Sequence, residues 1–372
     1  SYEAGNATTD AGVYPPKSPL VSGGPGSLTP WKTLGLQGRN FAGGVTSLAS
    51  LQKFAGPGVP VTQPIRVYAG LDSAPTPEAR AQLAVKELER TGGFSRPVLV
   101  IATATGTGWI NPYASAAVEY LWHGDSAIVS MQYSYLPSWI AFLTERSNAA
   151  TAGRDLINAV YDHWKTLPAG DRPELVVYGE SLGSYGAEAG LAKGSLSASL
   201  VSIAKVGNRA LFVGPTEGNP IWRQIRSARH SPSPVWRPVI PASSVNAANI
   251  ASEIPTTPSQ GGRIQYVVHG SDPVGWWSMN TLLWPPAWIL GPTPPGVPSN
   301  VIWFPVVTWL QTAADLMAGF SAPIGYGHNY NDTFAQGFVS VAPPPGWNHA
   351  ETEHLIHQLE YLNELEKSSS NS

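Results

Sequence analysis

Apolar positions along the chain fall into two alternating patterns. Short continuous apolar runs, bounded by turn residues, stand at 65–71 (IRVYAGL), 98–103, 127–132, 175–178, 210–213 and 264–268. Runs of this length and β-branched character read as strands. The run 98–103 has no polar face, as expected of a strand covered on both sides. Helical stretches lie between these runs. Thr76, Pro77 and Glu78 supply an N-cap, a proline at the first helical position and an early acid, and this helix runs to about Arg90 before Gly92 and Gly93. A second helix is expected over 113–122. Leu156, Val160, Trp164 and Leu167, at steps of four and three, mark one face of a third that ends at Pro168. The strand 175–178 leads into Gly179-Glu180-Ser181-Leu182-Gly183 and a helix of small residues to about Ala192. Near the end, Leu355, Leu359, Leu362 and Leu365 mark an amphipathic helix over 351–367.

Strands alternating with helices predict an α/β fold, with a mostly parallel sheet and helices on both faces. Two regions break the alternation. Residues 216–262 are rich in Pro and Ser. Residues 275–323 carry Trp276, Trp277, Trp284, Trp288, Trp303 and Trp309, six of the 14 tryptophans. Both read as insertions into one catalytic domain over 37–372. Residues 1–36 have no period and read as an extended arm or linker, with order beginning near Gly38 to Phe41.

Composition changes this picture in three respects. Gly and Pro make up 38 and 35 of 372 residues, yet 42% of positions are hydrophobic and 14 Tyr join the 14 Trp, so the chain is folded but rich in loops. Charged residues are 13% with a net charge of −3 and no basic run, which argues against a nucleic-acid partner. Cysteine is absent, which excludes disulfides, thiolate metal sites and thiol nucleophiles. The first residue is Ser1, from which a processed or trimmed N-terminus is expected. The apolar stretches 281–290 and 301–310, about ten residues each, are too short to span a bilayer.

The chemistry centres on Ser181. A Gly-x-Ser-x-Gly pattern also occurs in ordinary turns. Placed after a buried strand and before a helix, it describes a nucleophile elbow, where the residues two before and two after the serine must lack bulk. The helix N-terminus behind it favours developing negative charge. A serine needs a base, and the base an orienting acid, in the chain order Ser, acid, His. His328, in the Gly-flanked loop Gly325-Tyr326-Gly327-His328-Asn329-Tyr330, is the favoured base. His349 is the reserve, and His230, His269, His354 and His357 are the other candidates. Asp272, just beyond the strand 264–268, is the expected acid, with Glu217 as the alternative. The oxyanion hole is expected from the backbone N–H groups of Leu182 and Thr105, the latter in the Gly-rich loop 104–109. No Lys follows that loop, so it is not a phosphate-binding P-loop. No His-Glu-x-x-His pattern occurs, and neither metal nor organic cofactor is expected.

With these motifs in place, the sequence resembles the α/β-hydrolase superfamily. More narrowly, it resembles a bacterial membrane-anchored α/β-hydrolase family with an N-terminal transmembrane bundle, absent from this chain. The matching runs are 38–41, 65–74, 105–109, 132–139, 179–183, 271–277 and 325–332. The resemblance implies an α/β-hydrolase fold with serine-hydrolase chemistry, on the extracytoplasmic face of a bacterial membrane. The expected function is hydrolysis of a carboxylic ester, on a small-molecule or lipid substrate. An acyltransferase acting on a lipid or glycan hydroxyl, or a non-catalytic binder of an apolar ligand, are the alternatives. The Trp- and Pro-rich segment is expected to form a cap in which part of 275–310 lines an acyl pocket, with Trp109, Trp276 and Trp277 binding substrate.

Overall fold

Seven strands form one all-parallel sheet in the computed structural model, which describes residues 1–370. They are β1 (Ile65–Ala69), β2 (Val98–Thr103), β3 (Ser126–Met131), β4 (Glu174–Glu180), β5 (Ala210–Val213), β6 (Val245–Ala248) and β7 (Ile264–Val267). Their order is β1-β3-β2-β4-β5-β7-β6. Six of the seven stand where the apolar runs predict them. The seventh, β6, is four residues long, contains Asn246 and lies inside the Pro- and Ser-rich segment, so no apolar run announces it.

The chain after β3 crosses back over β2 to form β4, so the order reverses between β2 and β4. Ligands of open parallel sheets bind at such a reversal, outside the carboxyl ends of the strands. The register pairs Val98 with Glu174 and runs on to Thr103 with Gly179, which brings the loop after β2 beside the turn after β4.

Side chains alternate across the sheet as a strand period of two requires. Leu99, Ile101, Val129 and Val177 join a core with the helices Pro77–Thr91 and Arg146–Trp164. Val98, Val100, Ile128 and Val176 join the opposite core, under the helices Pro112–Leu121, Phe334–Val341 and His349–Ser370. The helix Arg146–Trp164 lies against the helix that follows β4 with almost no side chain between them. A Cβ on Gly153 would stand 2.1 Å from the Gly186 carbonyl oxygen, so glycine is required for this approach.

The N-terminal arm is more ordered than its composition suggests. It opens with a short helix, Tyr2–Asn6, well before Gly38. Val21 is fully buried, and Ser22 binds the edge of β1 through its N–H to the Arg66 carbonyl (2.8 Å) and its hydroxyl to the Tyr68 N–H (2.9 Å). The buried Arg39 guanidinium donates to the carbonyls of Ala7 and Thr8 at 2.8 and 2.6 Å. Polar contacts of this kind leave no hydrophobic period to read.

The Trp- and Pro-rich segment contains three single turns, Pro273–Gly275, Met279–Leu282 and Ala287–Leu290, before one longer helix, Val307–Gly319. The prolines between them account for the short pieces, because each removes a backbone donor and disfavours helix in the residue before it.

Candidate active site

Ser181 stands between β4 and the helix Leu182–Leu191 with φ 55° and ψ −126°. A non-glycine residue at positive φ costs about 1–3 kcal/mol and persists only where its surroundings over-determine it. They do so here. The Ser181 N–H donates to the Val213 carbonyl at 2.9 Å, and the Ser184 hydroxyl donates to the Ser181 carbonyl at 2.6 Å. The Thr103 hydroxyl lies 2.6 Å from the Gly183 carbonyl and 3.0 Å from that of Tyr178, pinning both sides of the turn to the end of β2. A Cβ on Gly179 would stand 2.6 Å from the Ser184 nitrogen, and one on Gly183 would stand 2.3 Å from the Thr103 carbonyl oxygen. Both glycines of the motif are thus sterically required. Leu182 opens the helix, where first-turn N–H groups have no intrahelical acceptor.

Asp272 follows β7, and His328 sits in the loop before the helix Phe334–Val341. His328 Nδ1 and Asp272 Oδ2 are 2.6 Å apart, with both side chains buried. The Tyr330 hydroxyl donates to the same Oδ2 at 2.7 Å, and the Val274 N–H donates to Oδ1 at 2.9 Å. The carboxylate is therefore held on both oxygens. Gly214, at φ +56°, leaves room for the imidazole, since a Cβ there would stand 2.8 Å from His328 Cε1. Burial opposes protonation of His328, but the Asp272 carboxylate and, more weakly, Glu180 outweigh it and raise its pKa above the ordinary value. An imidazole in this setting is able to accept and hold a proton.

The reserve candidates lie elsewhere. His349 is exposed beside Glu353, His354 binds the Phe54 carbonyl at 2.9 Å, and His357 is exposed beside Glu360. His269 stacks on Tyr330 with ring centroids 4.0 Å apart, behind the acid, and burial lowers its pKa. Glu217 pairs with Arg226 at 3.4 Å.

Ser181 and His328 line one cavity of about 760 Å³, together with Glu180, Thr105, Trp109 and Asn111. Of the three tryptophans expected at substrate, only Trp109 is there. Trp277 is buried in the core against Phe142 and Trp309, with ring centroids 5.8 and 5.6 Å away. Trp276 is buried with its indole N–H on the Gly270 carbonyl (3.0 Å) and borders a different cavity. No residue of 275–310 borders the Ser181 cavity; the cap reaches it farther along, through Met317 and Phe320. The run of prolines from 285 to 298 carries the chain away before the helix Val307–Gly319 returns it. Thr105 does face the cavity, but its N–H donates to the Trp109 carbonyl at 3.2 Å. That bond closes the loop on itself, so this N–H does not have the open position expected of it.

Two residues of the site carried no recognised signal. Tyr330 lies two positions after the histidine and holds the acid. Glu180 lies between the first glycine and the serine of the elbow. It is buried, with Oε2 3.1 Å from both the Asn111 amide nitrogen and the Tyr178 hydroxyl. Burial raises its pKa, and His328, Asn111 and Tyr178 partly offset that. A carboxylic acid immediately before a candidate nucleophile, at the end of a strand with an apolar middle, is the available clue.

The sheet order, the strained serine after the central strand β4, and Asp272 and His328 on later loops fit a hydrolase architecture, and the comparisons agree. The chain belongs to the alpha/beta-hydrolase family, whose model matches residues 65–355, and a model of that family's N-terminus matches residues 1–45. Among solved structures, two of acetyl xylan esterase, one at 0.90 Å resolution and one an iodinated complex, are similar at 14% identity. Each match covers 48% of this chain and 85% of the other, with a TM-score of 0.30. No curated protein matches.

Proposed function

We propose that the protein is a serine esterase that cleaves carboxylic esters through an acyl-enzyme. Ser181 Oγ attacks the acyl carbon while His328 Nε2 takes its proton. Asp272 keeps the imidazole in the tautomer that leaves Nε2 free and stabilises the imidazolium. The tetrahedral oxyanion forms at the helix N-terminus, where the Leu182 N–H and the helix dipole favour it. Collapse expels the alcohol, which takes the proton from His328. Water then repeats the sequence and releases the acid.

The observation that carries this reading is the pairing of a strained Ser181 with an Asp272-held His328 on the wall of one cavity. The test is hydrolysis of p-nitrophenyl esters by the wild type and by Ser181→Ala. The variant should melt at the wild-type temperature and lose several orders of magnitude in kcat/KM. Near-normal turnover by the variant would refute the assignment. Adding alcohols to the assay and analysing for transesterified product distinguishes hydrolysis from acyl transfer.

A further inference from the structure

The cap carries an outer surface unlike that of the rest of the molecule. Residues 275–323 contain one charged side chain, Asp315. Their large apolar side chains are nonetheless turned outward: Leu290 is 77% exposed, Trp284 70% and Ile302 69%, with Leu283, Phe304 and Leu310 more than half exposed. The helix Val307–Gly319 shows the anomaly most clearly. Trp309, Ala313 and Leu316 on its inner face pack against the core, while Val307, Leu310, Ala314 and Met317 on its outer face are exposed. On that outer face only Gln311 and Asp315 are polar, and an exposed apolar patch of this extent marks an interaction site. The pieces are joined: the Val306 N–H donates to the Leu282 carbonyl and the Trp303 indole N–H to the Thr281 carbonyl, each at 3.1 Å.

At the rim of this surface is a cavity of about 300 Å³, in which Trp284 and Pro285 of the cap meet Arg223, Arg226 and Arg229. Glu217 is the one carboxylate lining it, 3.4 Å from Arg226 and 3.7 Å from the half-exposed Arg223. Three guanidinium groups against one carboxylate leave the cavity positive, suited to a phosphate-bearing headgroup. At the other end of the cap, Met317 and Phe320 are exposed and also border the Ser181 cavity.

We propose that the outer face of the cap seats on a lipid surface with anionic headgroups. Its apolar side chains enter the acyl boundary, its arginine cavity takes a headgroup, and Met317 and Phe320 pass a lipid-borne ester to Ser181. Among the described residues no helix is long and apolar enough to cross a membrane, so this is docking on a surface. The seating stands independently of the esterase reading; only the delivery of substrate rests on it.

The experiment is sedimentation of the intact protein with vesicles of phosphatidylcholine alone and of phosphatidylcholine mixed with phosphatidylglycerol. The wild type should bind the mixed vesicles better, and salt should weaken that binding. Leu283→Asp/Ile302→Asp/Leu310→Asp should abolish binding yet keep wild-type turnover of soluble p-nitrophenyl acetate. Arg223→Ala should weaken binding to the mixed vesicles about fivefold, as expected for one basic residue near an anionic surface. Ser181→Ala should bind as the wild type does. That separates the two claims: a wild type that binds but hydrolyses no ester refutes the esterase and leaves the seating standing. No sedimentation with either vesicle, or sedimentation unchanged by the triple substitution, overturns the proposal. So does a dimer that the triple substitution dissociates, since a second copy then covers the face. Equal binding to both vesicles overturns the headgroup role of the arginines.

Discussion

The carboxyl edge of the sheet and the cap differ in what holds them. At the sheet edge, position is set by backbone: Ser181, Asp272 and their neighbours follow strands whose register is fixed, and glycine is required where chain meets chain. In the cap, single turns and one helix are joined by a few isolated bonds rather than by a strand register, and much apolar surface is left uncovered. The first arrangement fixes side chains against rigid backbone, as the proposed catalysis needs. The second gives shape and surface chemistry at the mouth of the site.

If that contrast is right, the largest effects come from the sheet edge. Asp272→Asn should lower kcat by about four orders of magnitude with little change in melting temperature, because the asparagine favours the wrong imidazole tautomer. Steady-state kinetics beside a thermal melt checks this; a loss under tenfold would mean that Asp272 does not orient the base.

Next come two tryptophans that look alike in sequence. Trp277→Ala should destabilise the fold by about 3–5 kcal/mol, as large-to-small core substitutions do. Trp284→Ala should stay within about 0.5 kcal/mol, as exposed substitutions do. Urea titration of both measures it. Equal costs would erase the distinction between core and cap surface.

A smaller effect is expected at the cavity mouth. Phe320→Ala should reduce kcat/KM for a p-nitrophenyl octanoate several-fold more than for the acetate, since losing a partly exposed aromatic contact is worth about 1 kcal/mol. Equal losses on both esters would remove the cap from acyl-chain binding.

The smallest concerns pH. His328 must be neutral to accept the serine proton, so kcat/KM should fall as pH drops through its pKa. That pKa is raised from the ordinary histidine value despite burial, chiefly by Asp272, so the acid limb should lie above that value. Glu180→Gln removes one of the negative neighbours that raise it, so the limb should move to lower pH. A pH profile of the variant that coincides with the wild type would show that Glu180 does not act on the base.

The same contrast explains what was legible in the sequence. The placement of Ser181 and Asp272 is legible because apolar runs locate the strands, and parallel strands deliver their following loops to one edge; His328 follows the cap helix rather than a strand, and only its Gly-flanked loop marks it as a candidate. The requirement for Gly179 and Gly183 follows from backbone sterics alone. The Trp- and Pro-rich segment offers no such period. Adjacent Trp276 and Trp277 give no sign that one packs in the core and the other against a separate cavity, because no regular element assigns them a face. Thr105 illustrates a finer limit: its loop was located, but the direction of one N–H depends on the bridge to Trp109, which composition does not encode. Tyr330 escaped for a related reason, since its role comes from reaching back to a carboxylate 58 positions earlier.

The central claim is that Ser181 is a nucleophile activated by its setting. The most direct measurement is reaction of the intact protein with a fluorophosphonate, followed by intact mass and peptide mapping. Stoichiometric addition is expected at Ser181, abolished by Ser181→Ala and strongly slowed by His328→Ala. No adduct, or an adduct on another serine that persists in Ser181→Ala, would contradict it.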